Sequence, residues 1–375
     1  MVDELGHPIP PLVADIAVAL TVSGIVGEAA AVAAAALDDD DLRQLLLLSE
    51  SHRLLGSLAD AVEAGRLPVT VSQRSRLEET LLVWLSHSVE VERLLLRIGE
   101  CCARAGIPMR VLKGVALAHL VYPDPSQRVF ADLDLLVPGD RFEEAVALAR
   151  DELGGTQSVA ELRPGFDREF GKDVTLQVGR VELDLHRTFV TGPFGLTIPL
   201  DDLFSDGTPL MVGGQTFTAL EPVTMLLHAC YNVALGDLPV RLCALRDLLL
   251  LCATPGADID RVVVLARSWG GTAVVRRAAE LAVAELSLPS SHPLSALTSL
   301  PVPRRERWAL RSYLSPARSY SRPLASLLVI PGIRARVRYL QALVRPSAEY
   351  LASRGWTNAS HRRRAVARAR GVSRD

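Results

Sequence analysis

Lysine is nearly missing from this 375-residue chain: of 41 basic residues, only Lys113 and Lys172 are lysines. An arginine bias that strong reflects genome composition more than chemistry, so a lysine retained against it is worth examining. Cysteine is sparse too. The five (Cys101, Cys102, Cys230, Cys243 and Cys252) show no CxxC pair and no metal-ligand spacing. They read as reduced, buried thiols of a cytoplasmic protein, not as a disulfide framework or a zinc site. Aromatic residues make up 5 % of the chain, and apolar positions are filled mainly by Leu, Val and Ala, which favours helices with some strand. No apolar run is long enough to cross a bilayer. Residues 13–37 come nearest, but Asp15 and Glu28 interrupt them, and about 20 apolar residues are needed. A basic region followed by an apolar stretch and a small-residue cleavage site is also lacking at the N-terminus, so no signal peptide is expected.

What is present describes a folded protein, with 49 % hydrophobic and 22 % charged residues and a length suited to two or three domains. Charge is unevenly placed. From residue 301 onward there are 17 arginines, no lysine and three acids, a local charge of +14 against a whole-chain value of -2. Such a tail could meet a nucleic acid or another acidic partner, bind an anionic membrane surface, or fold against the acidic remainder.

Helical spacing of leucines predicts a helical N-terminal region over 1–104, with "AGRLPVT" (64–70) as a connection. Residues 105–220 change texture. "GIPMRVLKG" reads as a short strand closed by Gly114, "VALAHLVY" as a helix, "VFADLDLLV" as a strand and "RFEEAVALARDEL" as a helix. "KDVTLQVGRVELDLHRTF" reads as a hairpin around Gly179, and "PLMVGGQTFTAL" as another around Gly213-Gly214. Helices resume over 221–290. Residues 289–332, rich in Pro, Ser and Arg, read as an irregular connection, and 291–375 as that connection plus the basic tail. The fold class is therefore α+β, a mixed-sheet core between helical regions.

"FADLDLLVP" (130–138) raises the chemical question. Residues i and i+2 of a strand share a face, so Asp132 and Asp134 project together while Leu133, Leu135 and Val137 oppose them. In "VELDLH", Glu182, Asp184 and His186 share a face in the same way. If the two strands are neighbours, Asp132, Asp134 and Asp184 converge. Three convergent carboxylates repel unless a cation neutralises them. Hard oxygen ligands suit Mg²⁺, and a pair of such ions would clamp the oxygens of a phosphoryl transfer. The "VLKGVA" junction adds an anion side, with Gly114 allowing close backbone approach and Lys113 supplying charge.

The order strand-Lys-Gly-helix, strand with DxD, then hairpin with a third acid resembles the nucleotidyltransferase superfamily related to DNA polymerase β. More closely, "VLKGVALAHLVY…QRVFADLDLLVPGDRFEEAVALA", with "LLHACYNVAL" and "VRLCALRDLLLL" downstream, resembles a poorly characterised bacterial nucleotidyltransferase family, type 5. The superfamily's usual Gly-Ser turn is Lys113-Gly114 here. The resemblance implies that Asp132 and Asp134 bind metal and that Asp184 completes the site and orients the attacking hydroxyl. It also implies a nucleoside triphosphate substrate and an acceptor that the sequence leaves open. Phosphate or nucleotide contacts fall to Lys113, Gly114, Arg128 and His186. For His186 a hydrogen-bonded structural role stands beside that one, as a solvated loop position does for Arg128. Asp247, among leucines, should be partnered by His228 or Arg241. The functions that follow are an Mg²⁺-dependent transferase, a toxin-like or regulatory transferase modifying tRNA or protein, or a degenerate member serving as a binding or scaffold subunit.

Overall fold

The computed structural model describes residues 9–26, 32–33, 37–237, 239–315 and 318–356. The arginine-rich run at 361–371 and part of the apolar stretch at 13–37 lie outside the described residues. Both hairpins form where glycine permits them. Gly179 and Gly213-Gly214 hold positive φ, which a two-residue turn matching strand twist requires. Among the described residues there are six strands: β1 (Arg110–Val111), β2 (Asp132–Leu136), β3 (Asp173–Val178), β4 (Val181–His186), β5 (Thr208–Val212) and β6 (Gln215–Ala219). They make one mixed sheet in the order β3-β4-β2-β1-β6-β5. The pairs β2/β4 and β1/β6 are parallel and the other neighbours antiparallel.

Leu133 and Leu135 of β2 and Leu183 and Leu185 of β4 are fully buried. The helices Val71–Ala105 and Phe142–Asp151 pack on β4, the first also on β2 and the second on β3. The 35-residue helix Val71–Ala105 opens with a capping box between Thr70 and Gln73 and stops at Gly106 in the left-handed conformation. From it, Ser88 Oγ donates to the Phe130 carbonyl at 3.2 Å and His87 Nε2 to the Ala131 carbonyl at 2.8 Å. The chain is thus pinned immediately before β2. The main apolar core runs from Val13 through the sheet to Tyr313 and includes the helices Pro222–Leu235, Leu242–Ala253 and Thr272–Leu286, and a smaller cluster gathers Phe170, Ile330 and Tyr339. All five cysteines are unpaired, and four are buried. No helix among the described residues is long and apolar enough to cross a membrane.

Residues 289–332 differ from the expected irregular connection. They contain the helices Pro293–Leu297, Arg304–Leu314 and Arg318–Val329. Proline misled the reading because Pro293 opens its helix and Pro303 caps the next, positions where a missing N–H costs nothing. Pro323 lies within its helix.

The helix Lys113–Leu120 begins hard against the segment before β2. A Cβ built on Gly114 would stand 2.7 Å from Phe130 Cβ, an atom with no rotamer to escape through. Gly114→Ala should therefore shift the helix start or β2 and destabilise by about 1–3 kcal/mol, read as a lower denaturant midpoint in chemical unfolding.

Candidate active site

In parallel register, Asp134 of β2 stands opposite Asp184 of β4, Asp132 opposite Glu182, and Leu136 opposite His186. With the two-residue period, the three aspartates turn to one side of adjacent strands. There they line a cavity of about 290 Å³ together with Lys113, Gly114 and Arg128. Six of the seven residues expected at the site are thereby brought together. His186, the seventh, is fully buried and lies behind Asp134.

Asp134 is the pivot of the electrostatics. It is 3 % exposed, and its Oδ1 accepts from Lys113 Nζ and from His186 Nε2, each at 2.6 Å. Burial alone would raise its pKa, but the Lys113 ammonium and the His186 bond hold the carboxyl well below its ordinary value. Lys113 responds in kind: burial opposes its charge, yet Asp134, with Asp132 and Asp184 behind, raises its pKa. Asp184 sits differently. Burial raises its pKa, and Asp173 and Asp134 add to the rise, while a 2.5 Å bond from Thr175 Oγ1 and the nearby His186 oppose it. The two carboxyls that face each other in register are thus pushed in opposite directions, Asp134 down and Asp184 up. Such divergence marks acid–base pairs.

These residues fit a hard divalent cation. Oxygen donors of Asp134 and Asp184 and a nitrogen of His186 lie within 4.8 Å of one another, and Asp132 lines the same cavity. No close ion pair joins Asp132 or Asp184 to a cation among the described residues, and Lys113 and Arg53 act on them only from a distance, so two carboxylates face the cavity beside a third. His186 Nε2 donates to Asp134, which places it as an orienting partner behind a ligand.

Arg128 lines the cavity, but its charge is committed elsewhere. Its Nε and Nη2 donate to both oxygens of Asp247 at 2.9 and 3.0 Å, and its Nη1 to the Val129 carbonyl. Tyr122 Oη also donates to Asp247. Asp247 is thus partnered by Arg128, whose planar guanidinium matches a carboxylate in two bonds, and by Tyr122, whereas the expected Arg241 pairs with Asp237. His228 stacks on Phe189 with ring centres 4.3 Å apart. Burial first, and then the nearby Lys113, holds its pKa well below normal.

Sequence reasoning missed Lys172, Arg53 and Arg241, which also line the cavity. Lys172 pairs with Asp173 at 2.6 Å. A signal for it existed, since both lysines of the chain prove to line this one cavity. Arg53 lies between the helices Asp39–Ser51 and Leu55–Glu63, with its guanidinium 4.6 Å from the ring centre of Trp84. No motif marks it. Arg241 pairs with Asp237 at 3.0 Å.

A family model described as uncharacterised nucleotidyltransferase matches residues 38–286. No curated protein matches the chain. Among solved structures, the solution structure of the antibiotic-resistance factor ANT(2'')-Ia is 17 % identical, with 48 % of this chain and 92 % of that one covered and a TM-score of 0.35. A crystal structure of ANT(2")-Ia in complex with adenylyl-2"-tobramycin is 17 % identical over 48 % and 95 % of the two chains, at 0.34. An antigenic nucleotidyltransferase-like protein from Paracoccidioides brasiliensis is 16 % identical over 55 % and 97 %, at 0.32.

Breaking the Arg128–Asp247 pair from one side should be costly. Arg128→Met leaves a buried carboxylate without its counter-ion and should cost about 3–5 kcal/mol. Adding Asp247→Leu should recover much of that loss, as a double-mutant cycle by urea unfolding would measure.

Proposed function

The chain belongs to a family of nucleotidyltransferases, and from that premise we propose that it moves a nucleoside monophosphate from a nucleoside triphosphate to a hydroxyl or phosphate of an acceptor. The observation that carries this reading is the convergence of Asp132, Asp134 and Asp184 on one cavity that also holds both lysines of the chain. Asp132, Asp134 and Asp184 would hold Mg²⁺. Bound there, a pair of such ions would polarise the phosphoryl oxygens and offset charge on the departing pyrophosphate.

The protein's own groups divide the remaining work. Asp184, whose burial favours the protonated form, takes the proton of the acceptor hydroxyl as its oxygen attacks the α-phosphorus. The bond from that phosphorus to the bridging oxygen breaks, and pyrophosphate leaves. Lys113 and His186 hold Asp134 ionised and fixed in orientation. Lys172, paired with Asp173, adds positive charge to the cavity wall. Gly114 keeps the helix start close to β2, so its expected role toward phosphate is joined by a packing role against Phe130.

A second reading, a nucleotide-binding subunit without turnover, draws on the bond from Lys113 to Asp134. That ammonium already neutralises a carboxylate that a metal would otherwise claim.

Calorimetric titration of each nucleoside triphosphate, with and without Mg²⁺, separates these readings from failure of both. Metal-dependent binding is expected in the wild type and should be lost in Asp132→Ala combined with Asp134→Ala. Equal binding by that double variant in Mg²⁺ would sink the metal assignment. Pyrophosphate release distinguishes turnover from binding alone.

Asp184→Asn should slow turnover by about 10²–10⁴-fold. In the wild type, activity should fall as pH drops through the raised pKa of Asp184, because the protonated acid cannot accept the acceptor's proton. That acid limb should be absent from the residual activity of Asp184→Asn in a pH–rate profile.

A further inference from the structure

Among the described residues three non-glycine residues hold positive φ: Arg53 at 57°, Lys113 at 41° and Ser287 at 49°. Two of the three are cations lining the same cavity. Left-handed backbone is unfavourable for an ordinary residue because its Cβ crowds the following carbonyl oxygen, and residues kept in it tend to serve a site.

Arg53 occupies a position made for glycine. It follows His52, the C-cap of the helix Asp39–Ser51. Its N–H returns to the Glu50 carbonyl at 3.1 Å, and that of Leu54 to the Ser49 carbonyl at 2.7 Å. These are the two bonds of a Schellman motif, whose left-handed residue is most often Gly, sometimes Asn. The backbone therefore gives no reason for an arginine, and the reason must lie in the side chain.

That side chain differs from every other cation in the cavity. Five line it. Lys113 is paired with Asp134, Arg128 with Asp247, Lys172 with Asp173 and Arg241 with Asp237. Arg53 has no ion pair and no side-chain hydrogen bond among the described residues. Its guanidinium is propped on Trp84, whose Nε1 is itself anchored to Glu50 Oε1 at 3.1 Å. A guanidinium offers five donors and no acceptor, and its planar fork suits phosphate oxygens.

We propose that Arg53 binds the β- and γ-phosphates of the nucleotide, so that the N-terminal helical region supplies part of the substrate site. The assignment rests on the nucleotidyltransferase reading. The four paired cations shape the cavity and balance its acids, and the fifth meets the ligand's charge.

Calorimetry on the full chain in Mg²⁺, with inorganic tripolyphosphate, a nucleoside triphosphate and the matching monophosphate as probes, tests it. Arg53→Gly should keep or raise the thermal midpoint, since glycine suits the backbone there. It should weaken tripolyphosphate and triphosphate binding about 10–100-fold and leave monophosphate affinity unchanged. Arg53→Lys should recover part of the loss. Arg53→Gln, which keeps a side-chain stem without charge, should match Arg53→Gly and decides the matter if the glycine variant unfolds. Wild-type binding of triphosphate that none of these variants weakens overturns the Arg53 assignment alone, as does an equal loss of monophosphate binding. A wild type that binds neither triphosphate nor tripolyphosphate overturns the nucleotide reading and this one with it.

Discussion

A buried carboxylate that must stay charged governs this site. Asp134 is almost without solvent, and an uncompensated ion there would unfold the chain or take up a proton. Lys113 from the helix start and His186 from the end of β4 both reach the same oxygen. Three pieces of chain that are distant in sequence are thereby tied at one atom. Lys113 accepts a left-handed backbone at that point, β2 and β4 keep a register that sets Asp134 beside Asp184, and Gly114 lets the helix approach Phe130. The same tie holds the Asp134 carboxyl low in pKa, while Asp184, bonded by Thr175 but by neither Lys113 nor His186, is pushed up by burial.

The local parts of this arrangement were legible in the sequence. Alternation in "FADLDLLV" and "VELDLH" put the acids on one face, and glycines marked both hairpins. The conditional step, that β2 and β4 be neighbours, was met by parallel pairing across two intervening helices and β3. The partners of polar residues were harder to read. Arg128 and Asp247 are separated by more than a hundred residues, and nothing local tells a guanidinium which carboxylate will meet it. Prolines in 289–332 signalled breaks, yet several sit at helix starts, where the same ring is favoured. Arg53 was invisible for a different reason. Its meaning lies in the contrast between a backbone that wants glycine and a guanidinium with no ion pair among the described residues, and neither can be seen before folding.

Charge in the cavity is mostly internal. Four of the five cations of its wall are each paired with an acid of the chain, which keeps the polar surface organised before any ligand arrives. A site arranged in this way needs little reordering on binding, since its dipoles and ions already point where they will be used. Among the described residues Asp132, Asp184 and Arg53 form no close ion pair, although Asp132 lies near enough to Arg53 to favour its charge. A metal-bound polyphosphate carries the complementary pattern, cation toward the acids and anion toward the arginine.

The long helix Val71–Ala105 has a consequence that goes beyond packing. Trp84 supports Arg53 on one side, and His87 and Ser88, three and four residues further on, hold the backbone just before β2. Residues at that spacing are neighbours on one face of a helix. Adjacent turns of a single rod thus set the separation between the arginine and the aspartates, as a jig holds two tools at a fixed gap. The nucleotidyltransferase core is therefore not a detachable module here. Transplanting residues 105–220 alone would carry the acids away from the gauge that positions them.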